Sequence, residues 1–111
     1  MKNRLFPFAA ATLLVGASAH ANESKIDFAR DIQPIFQQYC VDCHGVSEQQ
    51  AGFRADAGTL IVQGGDRGTA VVPGQPDKSL LLEALTGDGD LPRMPLELDP
   101  LSEDEIEQVR R

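Results

Sequence analysis

The 111-residue sequence has few of the residues that usually stabilise a small domain. It contains no tryptophan and one tyrosine, and its only two cysteines stand three positions apart, at Cys40 and Cys43. No further cysteine is available for a structural disulfide, which excludes a disulfide-stapled scaffold. Alternation of apolar and polar residues, the pattern of a half-buried strand, is also missing. We therefore expect short helices in one small domain, whose core is completed by something other than disulfides.

The pattern of residues 1–21 predicts a secretory signal peptide. Lys2 and Arg4 form a short basic region, residues 5–16 are mostly apolar, and Ala19 and Ala21 supply the small-x-small pattern of a cleavage site before Asn22. A membrane anchor is the alternative. The apolar run is about a dozen residues long, against the roughly 20 that a spanning helix needs. The sequence thus predicts cleavage, export to the periplasm or beyond, and no membrane insertion of the mature chain.

Acidic residues dominate the remaining segment, 22–111. All seventeen acidic residues of the chain lie there, with eight of its ten basic residues, which gives a formal net charge of −9. This excess argues against nucleic acid as a partner, because phosphate backbones bind basic surfaces. It is compatible with docking to a basic patch on a redox partner protein.

The most informative motif is Cys40-Val41-Asp42-Cys43-His44, because C-x-x-C-H is the attachment signature of a c-type haem. Two thiols separated by two residues can add to the two vinyl groups on one side of a porphyrin. The adjacent histidine then meets the iron as its proximal ligand. Cys40, Cys43 and His44 are therefore predicted to bind one covalent haem c, and export fits this prediction because the attachment takes place outside the bacterial plasma membrane.

Two other sites use a pair of cysteines at this spacing. A structural zinc site needs four ligands, and residues 22–111 contain no Cys or His besides Cys40, Cys43 and His44. A closed zinc site would thus need a carboxylate or a second chain. A thioredoxin-like redox dithiol opens a helix in a βαβ unit, whereas this motif is predicted to follow the end of a helix.

Met94 is the leading candidate for the distal ligand of the iron. It is the only methionine outside the signal peptide, and His20 lies within that peptide, so two histidine ligands from one mature chain are excluded. Pro92 and Pro95 flank it in a segment that cannot be a regular helix. The alternative is a methionine that fills a gap in the core. A His44/Met94 pair would give a higher reduction potential than two histidines.

The helices are predicted from apolar spacing and capping residues. Ile32, Ile35, Phe36 and Tyr39 form one apolar stripe that runs into Cys40, with Asp31 as its N-cap. Further short helices are predicted at 57–63, capped by Asp56, at 78–85, capped by Asp77, and after Ser102, which forms a capping box with Glu105.

This order of elements resembles the class I cytochrome c fold, and more narrowly the Planctomycete-type cytochrome c domain. The matching segments are 32–36 (IQPIF), 40–45 (CVDCHG), 52–56 (GFRAD), 64–65 (GG), 71–76 (VVPGQP), 79–81 (SLL), 94–95 (MP) and 101–106 (LSEDEI). The resemblance implies an all-α haem domain over 22–111, wrapped around one covalent haem. The resemblance also implies that the last helix is truncated, because the family pattern continues past the point where this chain ends at Arg111.

The resemblance implies one-electron transfer, with Cys40 and Cys43 as thioether donors, His44 proximal and Met94 distal. No nucleophile–base pair or phosphate-binding loop points to an enzyme. Two alternatives stay open: a haem sensor or peroxidase-like module with an open distal position, and a truncated non-haem remnant of a larger protein. Arg54, Arg67 and Arg93 are candidates to pair with the haem propionates, since they are basic residues in loops near the predicted site.

Overall fold

The computed structural model describes residues 24–111, together with Leu13, Gly16 and Ala17. The predicted signal peptide therefore lies almost wholly outside the described residues. Within them the chain is helical and forms no strand, which confirms the predicted all-α class. None of these helices is long and apolar enough to cross a membrane. The α-helices are α1 (Gln33–Tyr39), α2 (Gly58–Gln63), α3 (Leu80–Thr86) and α4 (Glu103–Arg110).

Helical structure begins earlier than the sequence predicts. A π-helical turn, Phe28–Ile32, precedes α1, and its N-cap is Asp27, whose side chain accepts a hydrogen bond from the Arg30 amide. The prediction that Asp31 is the N-cap is wrong. Its carboxylate accepts a hydrogen bond from the Asp27 amide at 2.8 Å and pairs with the Arg30 guanidinium at 2.6 Å. The two aspartates together therefore satisfy amide groups of the first turn, one helical turn before the predicted start.

The apolar stripe of α1 is confirmed, and it divides between two clusters of buried residues. Ile32 and Phe36 pack with Ala55 and Ile61. Ile35, on the neighbouring side of the helix, packs with a second group: Leu82, Leu85 and Leu101. Helix α1 thus lies between the two halves of the core and fixes where the chain emerges at Cys40.

Two further capping predictions are wrong and one is confirmed. Helix α2 follows Ala57 and not Asp56, whose carboxylate is engaged by Arg54. Asp77 lies within a 3₁₀ turn, Pro76–Lys78, and α3 starts after Ser79. The predicted capping box of Ser102 and Glu105 is present at the start of α4. Competing side-chain partners, which local sequence does not reveal, account for the change at Asp56.

Candidate haem-binding site

The C-x-x-C-H motif forms a tight turn at the end of α1. The Cys40 amide donates the last helical hydrogen bond to the Phe36 carbonyl at 2.9 Å, and the His44 amide donates to the Cys40 carbonyl at 2.9 Å. This confirms that the motif follows a helix. Cys40 is partly buried, Cys43 is exposed, and both are free thiols. The turn therefore presents two separate sulfur atoms and one imidazole within five residues.

The His44 ring is held by groups that leave one nitrogen for a metal. Its Nδ1 lies 3.0 Å from the Gln50 carbonyl oxygen. A carbonyl can only accept a hydrogen bond, so Nδ1 carries a proton, and in the neutral imidazole Nε2 is then the nitrogen with a lone pair for a metal. The Phe53 ring lies 5.1 Å away, tilted by 60°, and the Ala55 amide donates to the His44 carbonyl at 2.7 Å. These contacts therefore fix the orientation of both the backbone and the ring of His44.

An apolar cleft opens beside this turn. Its cavity volume is about 180 Å³, which is smaller than the roughly 300–1,000 Å³ of typical ligand pockets. Three of the four predicted site residues, Cys40, His44 and Met94, line it, whereas Cys43 does not. Most of the remaining wall is apolar: Ala51, Phe53, Ala70, Leu80, Leu81, Ala84, Leu85, Leu91 and Pro92.

Met94 reaches the cleft from a loop that is anchored to α3 at two points. The Met94 amide donates to the Ala84 carbonyl at 2.8 Å, and the Leu91 amide donates to the Glu83 carboxylate at 3.2 Å. The Met94–Pro95 peptide bond is cis. Residues 92–95 form neither helix nor strand, as predicted. The thioether is therefore carried by a loop whose backbone is tied to the helix that forms the cleft wall.

The structure distinguishes the three candidate arginines. Arg54 makes a two-pronged ion pair with Asp56, and this hydrogen bonding lowers the pKa of the Asp56 carboxyl. Arg93 does not line the cleft, and its side chain lies beside Gly87. Arg67 does line the cleft and is exposed. Of the three, Arg67 is thus the one placed to meet an anionic group of a ligand at the cleft mouth.

The alternative sites for the cysteine pair find little support. Burial, followed by the neighbouring Cys43, raises the pKa of the Cys40 thiol to about 11, whereas a redox dithiol needs a lowered pKa. Among residues 24–111, no three His, Cys, Asp or Glu side chains are grouped so that they could hold a metal ion. The donors suit haem better: two free thiols, an imidazole whose Nδ1 is engaged by a carbonyl, and a thioether, with Cys40, His44 and Met94 lining one apolar cleft.

Sequence reasoning missed several contributors to this site. The Gln50 and Ala84 carbonyls act through backbone atoms, so their side chains carry no signal for the role. The leucines of α3 stand close together, at 80, 81, 82 and 85. This spacing indicates a helix with apolar residues on more than one side, and that signal could have placed Leu80, Leu81 and Leu85 at a cofactor cleft.

Comparison with known proteins supports the same assignment. A family model described as Planctomycete cytochrome C matches residues 40–97, just over half of the chain. The match begins at the first cysteine of the motif and includes Met94. Neither a curated protein nor a solved structure matches the chain significantly. A cytochrome c domain carries covalently bound haem c and transfers electrons. The chain therefore belongs to the Planctomycete cytochrome C family.

Proposed function

We propose that this chain is an exported electron-transfer domain that binds one haem c and is not an enzyme by itself. Cys40 and Cys43 form the thioether bonds, the Nε2 atom of His44 is the proximal iron ligand, and the sulfur of Met94 is the distal ligand. The observation that carries the proposal is the placement of Cys40, His44 and Met94 on one apolar cleft. The haem, when bound, supplies an iron that alternates between the ferrous and ferric states.

The residues of the chain contribute orientation and exclusion of water. The hydrogen bond from Nδ1 to the Gln50 carbonyl holds the His44 ring in one tautomer and one plane. The backbone hydrogen bond from Met94 to Ala84 keeps the distal loop against α3. Leucine side chains lower the dielectric constant of the cleft. A site held in this way changes little in geometry when one electron arrives or leaves.

Covalent haem is tested first, by a haem stain after denaturing electrophoresis of the protein made in a strain that matures c-type cytochromes. We expect a stained band for the wild type and none for a variant in which Cys40 and Cys43 are both alanine. Ser47→Ala, at an exposed position three residues past the motif, should stain like the wild type. An unstained wild-type band would refute haem attachment and favour a non-haem remnant.

Ligation by Met94 is tested by carbon monoxide binding to the reduced protein. An iron–sulfur bond worth only about 2.7 kcal/mol leaves the sixth position open in about one molecule in a hundred. The wild type should then bind carbon monoxide about 100-fold more weakly than Met94→Ala, or more weakly still. Met94→His should keep the covalent haem and lower the reduction potential.

The matched control is Leu96→Ala, two residues further along the same loop. Leu96 is 51% exposed and does not line the cleft, so its removal should change neither carbon monoxide binding nor the potential. A wild type that binds carbon monoxide as tightly as Met94→Ala would show that Met94 is not on the iron. The sensor or peroxidase-like function would then be favoured.

Export and partner choice follow from charge and from the N-terminal pattern. Cleavage before Asn22 predicts that the N-terminal sequence of the periplasmic protein begins at that residue. The acidic excess predicts docking to a basic surface of a redox partner, and hence electron-transfer rates that fall as ionic strength rises. A haem-loaded protein retained in the cytoplasm, or rates independent of salt, would contradict these two predictions respectively.

A further inference from the structure

The turn between Gly65 and Gly68 is connected to the His44 ring through the segment that follows the haem motif. Gly65 and Gly68 exchange backbone hydrogen bonds of 3.2 and 3.0 Å, which closes the turn. The Asp66 amide, inside the turn, donates to the Ala51 carbonyl at 2.8 Å. The turn is thus joined directly to the segment that carries Gln50, the hydrogen-bond acceptor of His44.

The two segments approach so closely that only glycine fits at position 65. A Cβ atom placed there would clash with the Ala51 carbonyl oxygen, and it would lie 2.8 Å from the Phe53 amide nitrogen. All of its nearest neighbours are backbone atoms, so no side chain could rotate away to make room. The segment 50–53 would have to move as a whole.

That segment is also held in a strained conformation. Ala51 has φ of +54°, in the left-handed region that residues other than glycine rarely adopt. Such strain persists where the surroundings enforce it, and it concentrates at functional sites. Ala51 directly follows Gln50, whose carbonyl lies 3.0 Å from His44 Nδ1. The turn, the strained residue and the ring are therefore consecutive members of one chain of contacts.

We propose that Gly65 is a positioning residue for the proximal ligand: its missing side chain lets segment 50–53 settle where the Gln50 carbonyl accepts the Nδ1 proton of His44. The inference rests on the proposed function to the extent that His44 binds the iron of a haem. It does not depend on Met94. Its consequence is that a backbone turn outside the C-x-x-C-H motif sets the reduction potential.

The sign of the effect follows from the hydrogen bond. A carbonyl that accepts the Nδ1 proton makes the imidazole a more basic ligand, and a more basic ligand stabilises ferric iron over ferrous iron. Displacement of the Gln50 carbonyl should therefore raise the potential. Entry of water into the cleft would act in the opposite direction, because a more polar environment favours the oxidation state of higher charge. The direction of the shift separates these two causes.

The test compares the reduction potentials of haem-loaded wild type and Gly65→Ala by spectroelectrochemistry. We expect a higher potential in the variant, and faster solvent exchange of the His44 Nδ1 proton in NMR spectra of the reduced protein. Gly58→Ala is the control, since its Cβ would make only an ordinary contact of 3.4 Å with Phe28, and its potential should match the wild type. A Gly65→Ala potential equal to or below that of the wild type overturns the proposal.

Gly52→Ala decides the matter if Gly65→Ala does not retain haem. Gly52 lies within segment 50–53 itself. A Cβ atom at this position would meet the Asp66 carboxylate, which is a side chain and can move. We expect a smaller upward shift. Gly74→Ala controls for backbone strain, because Gly74 has φ of +74° and open space around it. A Gly52→Ala potential no higher than that of Gly74→Ala overturns the proposal, whereas a wild type without covalent haem refutes the proposed function instead.

Discussion

Ser79 should be the most costly serine to replace in the described part of the chain. It is 5% exposed, and it is the one buried polar residue in the described part of the chain. Its hydroxyl accepts a hydrogen bond from the Val72 amide at 2.9 Å and donates to the Gln75 carbonyl at 3.1 Å. The side chain therefore ties the turn at 72–75 to the start of α3, the helix that supports the Met94 loop.

The perturbation is Ser79→Ala, which removes both hydrogen bonds without adding bulk. A buried donor left without a partner costs about 1–3 kcal/mol. Val72 is partly exposed, so water can reach some of that donor, and we expect a loss of about 1–2 kcal/mol in the free energy of unfolding. The small volume of the lost hydroxyl adds little further cost.

The assay is urea denaturation of the haem-loaded protein, in which unfolding is monitored by the loss of the helical circular dichroism signal. We expect a lower midpoint with an unchanged slope, since the surface exposed on unfolding is the same. Ser47→Ala, at an exposed site, is the control and should stay within about 0.5 kcal/mol of the wild type. If Ser79→Ala also stays within that margin, the two hydrogen bonds contribute nothing net and the reasoning is refuted.

Two further predictions concern the core and the first helix. Phe36→Ala should cost about 3–5 kcal/mol in urea denaturation, because Phe36 is 3% exposed, whereas Phe28→Ala, at 40% exposure, should cost clearly less; equal losses would contradict the core assignment. Hydrogen bonds from Arg30 and the Asp27 amide lower the pKa of Asp31 from 3.8 to about 2. This stabilisation is complete above pH 4 and should be lost as the pH falls towards 2. Asp31→Asn should weaken that pH dependence in acid denaturation, and an unchanged acid limb would contradict the assignment.

The features that the sequence predicted correctly are local ones. The stripe of Ile32, Ile35 and Phe36 and the capping box of Ser102 each depend on residues within two helical turns, and the structure shows them as predicted. Spacing alone determines which side chains share a helix face. The end of α1 at Cys40 follows from the same stripe. Local pattern was therefore enough to place the haem motif after a helix.

Capping predictions failed where an acidic side chain had a second partner available. Asp31 and Asp56 each precede an apolar run and so resemble N-caps. In the structure Arg30 engages the first and Arg54 the second. A charged hydrogen bond to arginine is stronger than one to a neutral backbone amide. At Asp31 the carboxylate bonds both Arg30 and the Asp27 amide, which lies outside the predicted first turn. Which amides such a carboxylate can reach depends on backbone geometry that the sequence pattern does not specify.

The site itself could be predicted only where side chains perform the chemistry. Cys40, His44 and Met94 were named from their donor atoms, and the structure places all three on one cleft. The carbonyls of Gln50 and Ala84 were not foreseen, because any residue supplies a carbonyl. Arg67 could not be separated from Arg54 by sequence, since the difference between them lies in which one already has an acidic partner.

The core and the cleft share residues, so several side chains belong to both. Leu85 belongs to the second buried cluster, and Cys40, Phe53 and Leu81 pack against the first, yet all four line the cleft. A ligand bound in the cleft therefore contacts the core directly. Because binding to the folded state alone stabilises that state, haem attachment and folding should be coupled in this chain. Substitutions of Leu85 should accordingly affect the unfolding free energy and the haem spectrum together, whereas those of exposed Leu98 should affect neither.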